Sequence, residues 1–269
     1  MSTSFLFYDL ETWGLDPRTT RIAQFAAIRT DANLEEIDTP VSLFVRPADD
    51  FLPCPESALI TGITPQRADS EGLVEAEAID RIHALMAEPG TCTLGFNTLK
   101  FDDGFIRHGL YRNFHDPYER EYRDGNSRWD LFNVIRAVHA LRPDGIHWRQ
   151  REDDPAATSF KLEHLAEDNG LRQGSAHEAL SDVRATVGLA RLVRQHQPKL
   201  WDYLARLRDK RHVQGLIDLA HRVVQVNVDR GQAHFFNGDC ARAEVGLHHH
   251  LHAGFELGIA EMLLRNALV

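Results

Sequence analysis

The chain has 269 residues, 43% of them hydrophobic and 26% charged, with a formal net charge of −10. That size and balance suit one large domain or two small ones, and exclude a disulfide-stapled miniprotein, a collagen-like polymer and a chain too polar to bury a core. The acidity argues against an ordinary nucleic-acid-coating protein, whose affinity comes from Lys and Arg displacing phosphate counterions. Cys54, Cys92 and Cys240 are odd in number and show no Cys-x-x-Cys spacing, so they support neither a disulfide framework nor a structural zinc site. With no apolar run near the roughly 20 residues needed to cross a bilayer and no leader-like N-terminus, a soluble, non-exported, cytoplasmic protein with no membrane partner is expected.

Phe5 to Glu11 is apolar and aromatic with acids entering at its end, and turn residues follow from Thr12 to Pro17, which predicts a buried strand ending at a functional edge. Ile22 to Arg29 and Val41 to Val45 have strand character on either side of a polar stretch, giving a three-stranded antiparallel start. Leu73 to Ala87 carries apolar residues at helical spacing and stops at Pro89-Gly90. A short strand at Thr91 to Phe96 precedes helices at Lys100 to Phe114 and Asp130 to Leu141, while Ser159 to Glu163 resembles a helix cap after a polar loop. His177 to Gln195 is a long amphipathic helix ended by Pro198. Strands first, then strands alternating with helices, predict an α/β fold: a mixed sheet with an antiparallel start, flanked by helices.

Asp9 and Glu11 stand two residues apart at a strand end, so both carboxylates project from one face. At about 4 Å two such charges repel by roughly 4 kcal/mol for an effective dielectric near 20, a cost that a divalent cation removes. The plainer alternative is a strand that runs out into solvent with two surface acids. Asp102 and Asp103 open the helix after the mid-chain strand, and neighbouring helical residues point about 100° apart, so only one of them can face a given site. His177 and Asp182 are five residues apart, about 140° on a helix, so the pair converges only if His177 sits on the entry loop or first turn. A surface histidine beside an exposed acid is the alternative. Between Arg184 and His212 eight Lys or Arg face two acids, which fits either a solvated helix face or a surface that tracks phosphates.

In order, Asp-x-Glu-Thr near the N-terminus, Asn-x-x-x-Phe-Asp mid-chain and His-x-x-x-x-Asp on a late helix resemble the DEDDh 3′→5′ exonucleases of the ribonuclease-H-like superfamily. Within it the chain is similar to the bacterial exodeoxyribonuclease I family, through Ala23 to Asp31, Leu59 to Gln66, Tyr111 to Phe114, Asn126 to Leu131 and Ala140 to Pro143. The resemblance implies two Mg²⁺ ions, replaceable by Mn²⁺, bridged by Asp9. It puts Glu11 and Asp182 on the ion at the attacking-water side and Asp102 on the ion at the leaving-oxygen side. His177 is then the general base, and the five-residue spacing separates this class from its sister, which has a tyrosine where this chain has Glu178. Thr12 and Trp13 are expected to meet the 3′-terminal nucleotide, with Trp13 packed under the sheet edge as the other reading.

The implied activity is release of 5′-mononucleotides from single-stranded DNA 3′ ends, in DNA repair or recombination, by a protein associated with the nucleoid when on DNA. Trimming of RNA ends, polymerase proofreading, or a weak remnant that only binds single-stranded ends are the alternatives. Residues 1–220 are expected to form the exonuclease domain. Residues 221–269 match nothing in the family pattern, hold six of the 15 histidines and no lysine, and read first as a truncation or frame-change product in place of the family's SH3-like and helical domains, with a short replacement domain as the alternative. The absence of those domains weakens the case for a single-stranded-DNA-binding protein as partner.

Overall fold

A computed structural model describes residues 4–171, 178–216, 224–229 and 232–237. Strand β1 (Ser4–Thr12) buries Phe5 and Phe7 on one face and Leu6, Tyr8 and Leu10 on the other, the pattern of a strand covered on both sides. It pairs antiparallel with β2 (Ile22–Thr30), which pairs antiparallel with β3 (Val41–Phe44). On its other edge β1 runs parallel to β4 (Thr91–Gly95), and β4 parallel to β5 (Ser127–Asp130), giving the order β3-β2-β1-β4-β5. The expected antiparallel start is therefore present, and it continues into parallel strands whose carboxyl ends lie together.

The helices are α1 (Pro55–Thr61), α2 (Pro65–Glu71), α3 (Glu75–Ala87), α4 (Asp102–Arg112), α5 (Leu131–Leu141), α6 (Leu162–Asp168), α7 (Ala179–His196), α8 (Pro198–Arg206) and α9 (Lys210–Leu216). Helices α3 and α4 bring Ile79, Ile82, Met86, Phe105, Ile106 and Leu110 onto Leu6, Tyr8, Leu10 and Phe25, forming the main core. This packing fixes the start of α4 against the end of β1.

Three differences from the sequence reading have physical causes. Helices α1 and α2 were not expected: each has seven residues, and α1 buries none, so no apolar stripe marks it. Their signals are local, a proline in each first turn and Gly62 closing α1 at φ 70°. Strand β5 has four residues with polar Ser127 and Arg128, so its strand character is hidden, and Asp130 ends it rather than opening the next helix. Helix α7 stops at His196, and Pro198 starts α8, where its fixed φ suits a first helical turn.

The chain divides into two compact units, Met1–Phe132 with Lys161–Arg191, and Asn133–Phe160 with Leu192–Val269. In the second, the His139 ring meets Trp148 and Phe160 edge-on at 4.7 and 5.2 Å, and Leu200, Trp201 and Leu204 are buried along α8. It also holds a separate antiparallel pair, β6 (Val224–Asp229) with β7 (Gln232–Asn237). The boundary expected near residue 220, the histidine cluster His248 to His252 and the helix expected at Phe255 to Val269 lie outside the described residues. No helix among the described residues is long and apolar enough to cross a membrane.

Candidate active site

Every described site residue belongs to the first unit. Asp9 and Glu11 leave the same face of β1 near its carboxyl end, as period-two geometry requires. The register of β1 against β2 shifts between Glu11 and Thr12, a bulge that turns the strand at the site. Helix α7 buries Ala179, Val183, Thr186 and Ala190 along one face, and this seating places Asp182 one turn into the helix. One carboxylate oxygen each from Asp9, Glu11 and Asp182 lies within 4.8 Å of the others.

Asp102 joins from the first turn of α4 and is buried. Burial pushes the Asp9 carboxyl well above its ordinary range, with Asp102, Asp182 and Glu11 pushing the same way. Burial and then the Asp182 charge raise Glu11 to about 8. Asp102 is also held well above the usual carboxylate range, chiefly by burial and further by Asp103 and Asp130, against hydrogen bonds from backbone N–H groups. Asp9, Glu11 and Asp102, whose carboxyls resist losing their protons, form with Asp182 a hard-oxygen donor set suited to Mg²⁺, Mn²⁺ or a similar divalent ion, which would offset the repulsion among them.

The pH dependence follows from these directions. A carboxyl whose pKa is raised in the folded protein keeps its proton to higher pH than in the unfolded chain, so the unfolded state binds fewer protons in between. Metal-free stability is therefore expected to fall as pH rises from about 4.5 to about 8 through Glu11. Thermal melts in chelator at pH 5 and pH 8 check this. A melting temperature that is flat or rising across that interval would contradict a preformed cluster of protonated acids.

Asp103 takes a different role from Asp102, as its position on the helix requires. It accepts hydrogen bonds from the Tyr8 hydroxyl at 2.8 Å, from Arg120 at 2.5 Å and from Arg128 at 2.5 Å. Burial alone would raise its pKa, but the two guanidiniums hold it below the ordinary value of 3.8. Arg128 and Arg107 also pair with Glu121, at 2.9 and 2.8 Å. Asp130 accepts from the backbone N–H of Asn97, Leu99 and Phe132 at 2.9, 3.1 and 2.9 Å. Tyr8, Arg120, Arg128 and Asp130 were not singled out for site roles from the sequence. Arg128 and Asp130 fall inside the Asn126 to Leu131 run that carries the resemblance, whereas nothing in the sequence distinguishes a buried Arg120 from a surface arginine.

Thr12 stays at the edge of the site with its hydroxyl donating to the Gly14 carbonyl at 2.7 Å. Of the two readings of Trp13, its position fits the one packed under the sheet edge. Its ring is 1% exposed and packs with Ala23, Ile63 and Ala68, while its backbone N–H donates to the Arg21 carbonyl at 2.9 Å. A ring enclosed in that way has no open face for a base. His177 lies outside the described residues.

A family model described as exonuclease matches residues 6–190. The chain belongs to the exonuclease family. This exonuclease-family chain is 48% identical over 226 residues to exodeoxyribonuclease I of Escherichia coli K12, a match covering 84% of this chain and 47% of that protein. A crystal structure of E. coli exonuclease I in complex with a dA16 oligonucleotide superposes with a TM-score of 0.82 at 45% identity, covering 88% of this chain and 52% of that one. A zinc-bound form of an E. coli exonuclease I complex with single-stranded DNA gives 0.81 at 45% identity, over 89% of this chain and 52% of that one. The chain thus spans about half the length of the curated relatives it matches. The likeness assigns the mixed sheet and its helices to the ribonuclease-H-like exonuclease fold.

Proposed function

We propose that the chain is a divalent-metal-dependent exonuclease that works from the 3′ end of single-stranded DNA and releases 5′-mononucleotides. The observation that carries this reading is the meeting of Asp9, Glu11 and Asp182 within 4.8 Å, with the Asp102 charge close enough to raise the Asp9 pKa, in a member of the exonuclease family. The name and bound DNA of the similar E. coli enzyme support single-stranded DNA as the substrate. A setting in DNA repair or recombination, cytoplasmic and on the nucleoid, belongs to the same reading, and a single-stranded-DNA-binding protein as partner rests on family resemblance alone, an exonuclease I structure with such a protein being among the similar ones.

Asp9, Glu11, Asp102 and Asp182 would hold two cations, Mg²⁺ or Mn²⁺, with Asp9 shared. Two cations held in this way stabilise both the entering and the leaving oxygen of an in-line displacement at phosphorus. Glu11 must give up its retained proton for this, so loading is favoured as pH rises towards 8. His177 takes the proton of the attacking water, a task for which an imidazole is suited near neutral pH. Thr12, at the strand end beside Glu11, borders the place where the terminal sugar would lie.

Digestion of 5′-labelled DNA and RNA oligonucleotides of one sequence, with Mg²⁺ and with chelator, tests the reading. A ladder shortening from the 3′ end of the DNA, absent in chelator, is expected. Preferential shortening of the RNA would move the chain to the RNA-trimming branch of the superfamily, and binding of single strands without cleavage would make it an end-binding remnant.

A further inference from the structure

Asp102 is the one acid of the site that is not carried by β1 or α7. Its position depends on the junction between β4 and α4, residues 96–101, and that junction is gripped from β5. Gly95, the last residue of β4, stands opposite Asp130 in the parallel register. A Cβ at Gly95 would run into the Tyr8 carbonyl oxygen, so the end of β4 lies tightly against β1 just before Asp9. Beyond Gly95 the chain turns sharply, with Asn97 at φ 67°, a left-handed conformation that asparagine takes more readily than other non-glycine residues and that a bonded partner can hold in place.

Asp130 supplies that hold. Its Oδ1 accepts from the Asn97 N–H and its Oδ2 from the Leu99 N–H, while Oδ1 also caps the first turn of α5 at the Phe132 N–H. Arg128, two residues earlier on the same face of β5, bonds Asp103 and so anchors the helical flank of Asp102. We propose that Asp130 is a positioning residue of the active site: by fixing the turn at residues 97–99 it sets where Asp102 presents its carboxylate to a cation. This rests on the assignment of Asp102 as a cation ligand. Asp130 itself spends its oxygens on backbone N–H groups, and it is 3% exposed. A carboxylate so engaged acts on the cation only through the ligand that it orients, in the way that groups behind metal ligands commonly do.

The test is Asp130→Asn, which keeps the side-chain volume but cannot accept at both oxygens, with Asp130→Ala as a second variant. Mn²⁺ binding to the metal-free full chain is followed by calorimetry, and kcat and KM are followed on a single-stranded oligonucleotide. Asp130→Asn is expected to weaken Mn²⁺ binding about tenfold or more and to lower kcat by a similar factor, with KM for the oligonucleotide unchanged. Wild-type Mn²⁺ affinity and kcat in a folded Asp130→Asn protein would overturn the proposal, and so would a loss confined to KM. A wild-type chain that binds Mn²⁺ but cuts nothing would overturn the exonuclease reading, and the calorimetric comparison would still decide the role of Asp130.

Discussion

Asp9→Asn is expected to lower single-turnover cleavage of a single-stranded oligonucleotide by several orders of magnitude while raising the melting temperature of the metal-free protein. The two effects share one cause. Asp9 is the acid on which the others act: burial first, then Asp102, Asp182 and Glu11, raise its pKa. A neutral amide of the same size removes that repulsion at pH 8 and also removes the ligand proposed to be common to both cations. Added Mn²⁺ should raise the melting temperature of the wild type, because a ligand that binds only the folded state stabilises it by mass action. It should shift the variant much less. A metal-free Asp9→Asn protein that melts below the wild type would show that the acids do not repel in the native state.

The sequence made the acids legible for a simple reason. Strand period places Asp9 and Glu11 on one face without any knowledge of the fold, and helix period divides Asp102 from Asp103. Neither period says which of the two neighbours is tied up in ion pairs. That choice is made by Arg120 and Arg128, which reach Asp103 from 17 and 25 residues away along the chain. Trp13 is open to two readings from the sequence. Its position at a strand end next to two acids fits a stacking platform, but it is the contacts of Ala23, Ile63 and Ala68, from β2, the α1–α2 connection and α2, that enclose it. Helices α1 and α2 had to be missed by periodicity, since seven residues span only about two turns at 3.6 residues each. Local backbone chemistry, proline at the start and glycine at the end, is the signal that remains at that length.

Asp103→Ala is expected to cost about 3–5 kcal/mol of stability, the usual range for removing one partner from a buried ion pair. Arg120 is the reason. Its side chain is fully enclosed, and apart from Asp103 it has the Thr93 hydroxyl at 3.3 Å and Glu121 at 3.7 Å, too long for a strong hydrogen bond. Loss of Asp103 leaves that guanidinium buried and nearly unpaired, and leaves the Tyr8 hydroxyl without its acceptor. Asp102→Ala, by contrast, removes an acid whose ionisation burial already opposes, so the metal-free protein should lose far less. The pH dependence has the opposite sign to that of Glu11. Because the arginines hold Asp103 below 3.8, its contribution is complete above that value and is lost as pH falls below it. Urea denaturation of the two alanine variants at pH 7 in chelator makes the comparison. Equal losses for Asp102→Ala and Asp103→Ala would mean that the Asp103–Arg120 pair is no stronger a support for this fold than an acid awaiting a cation.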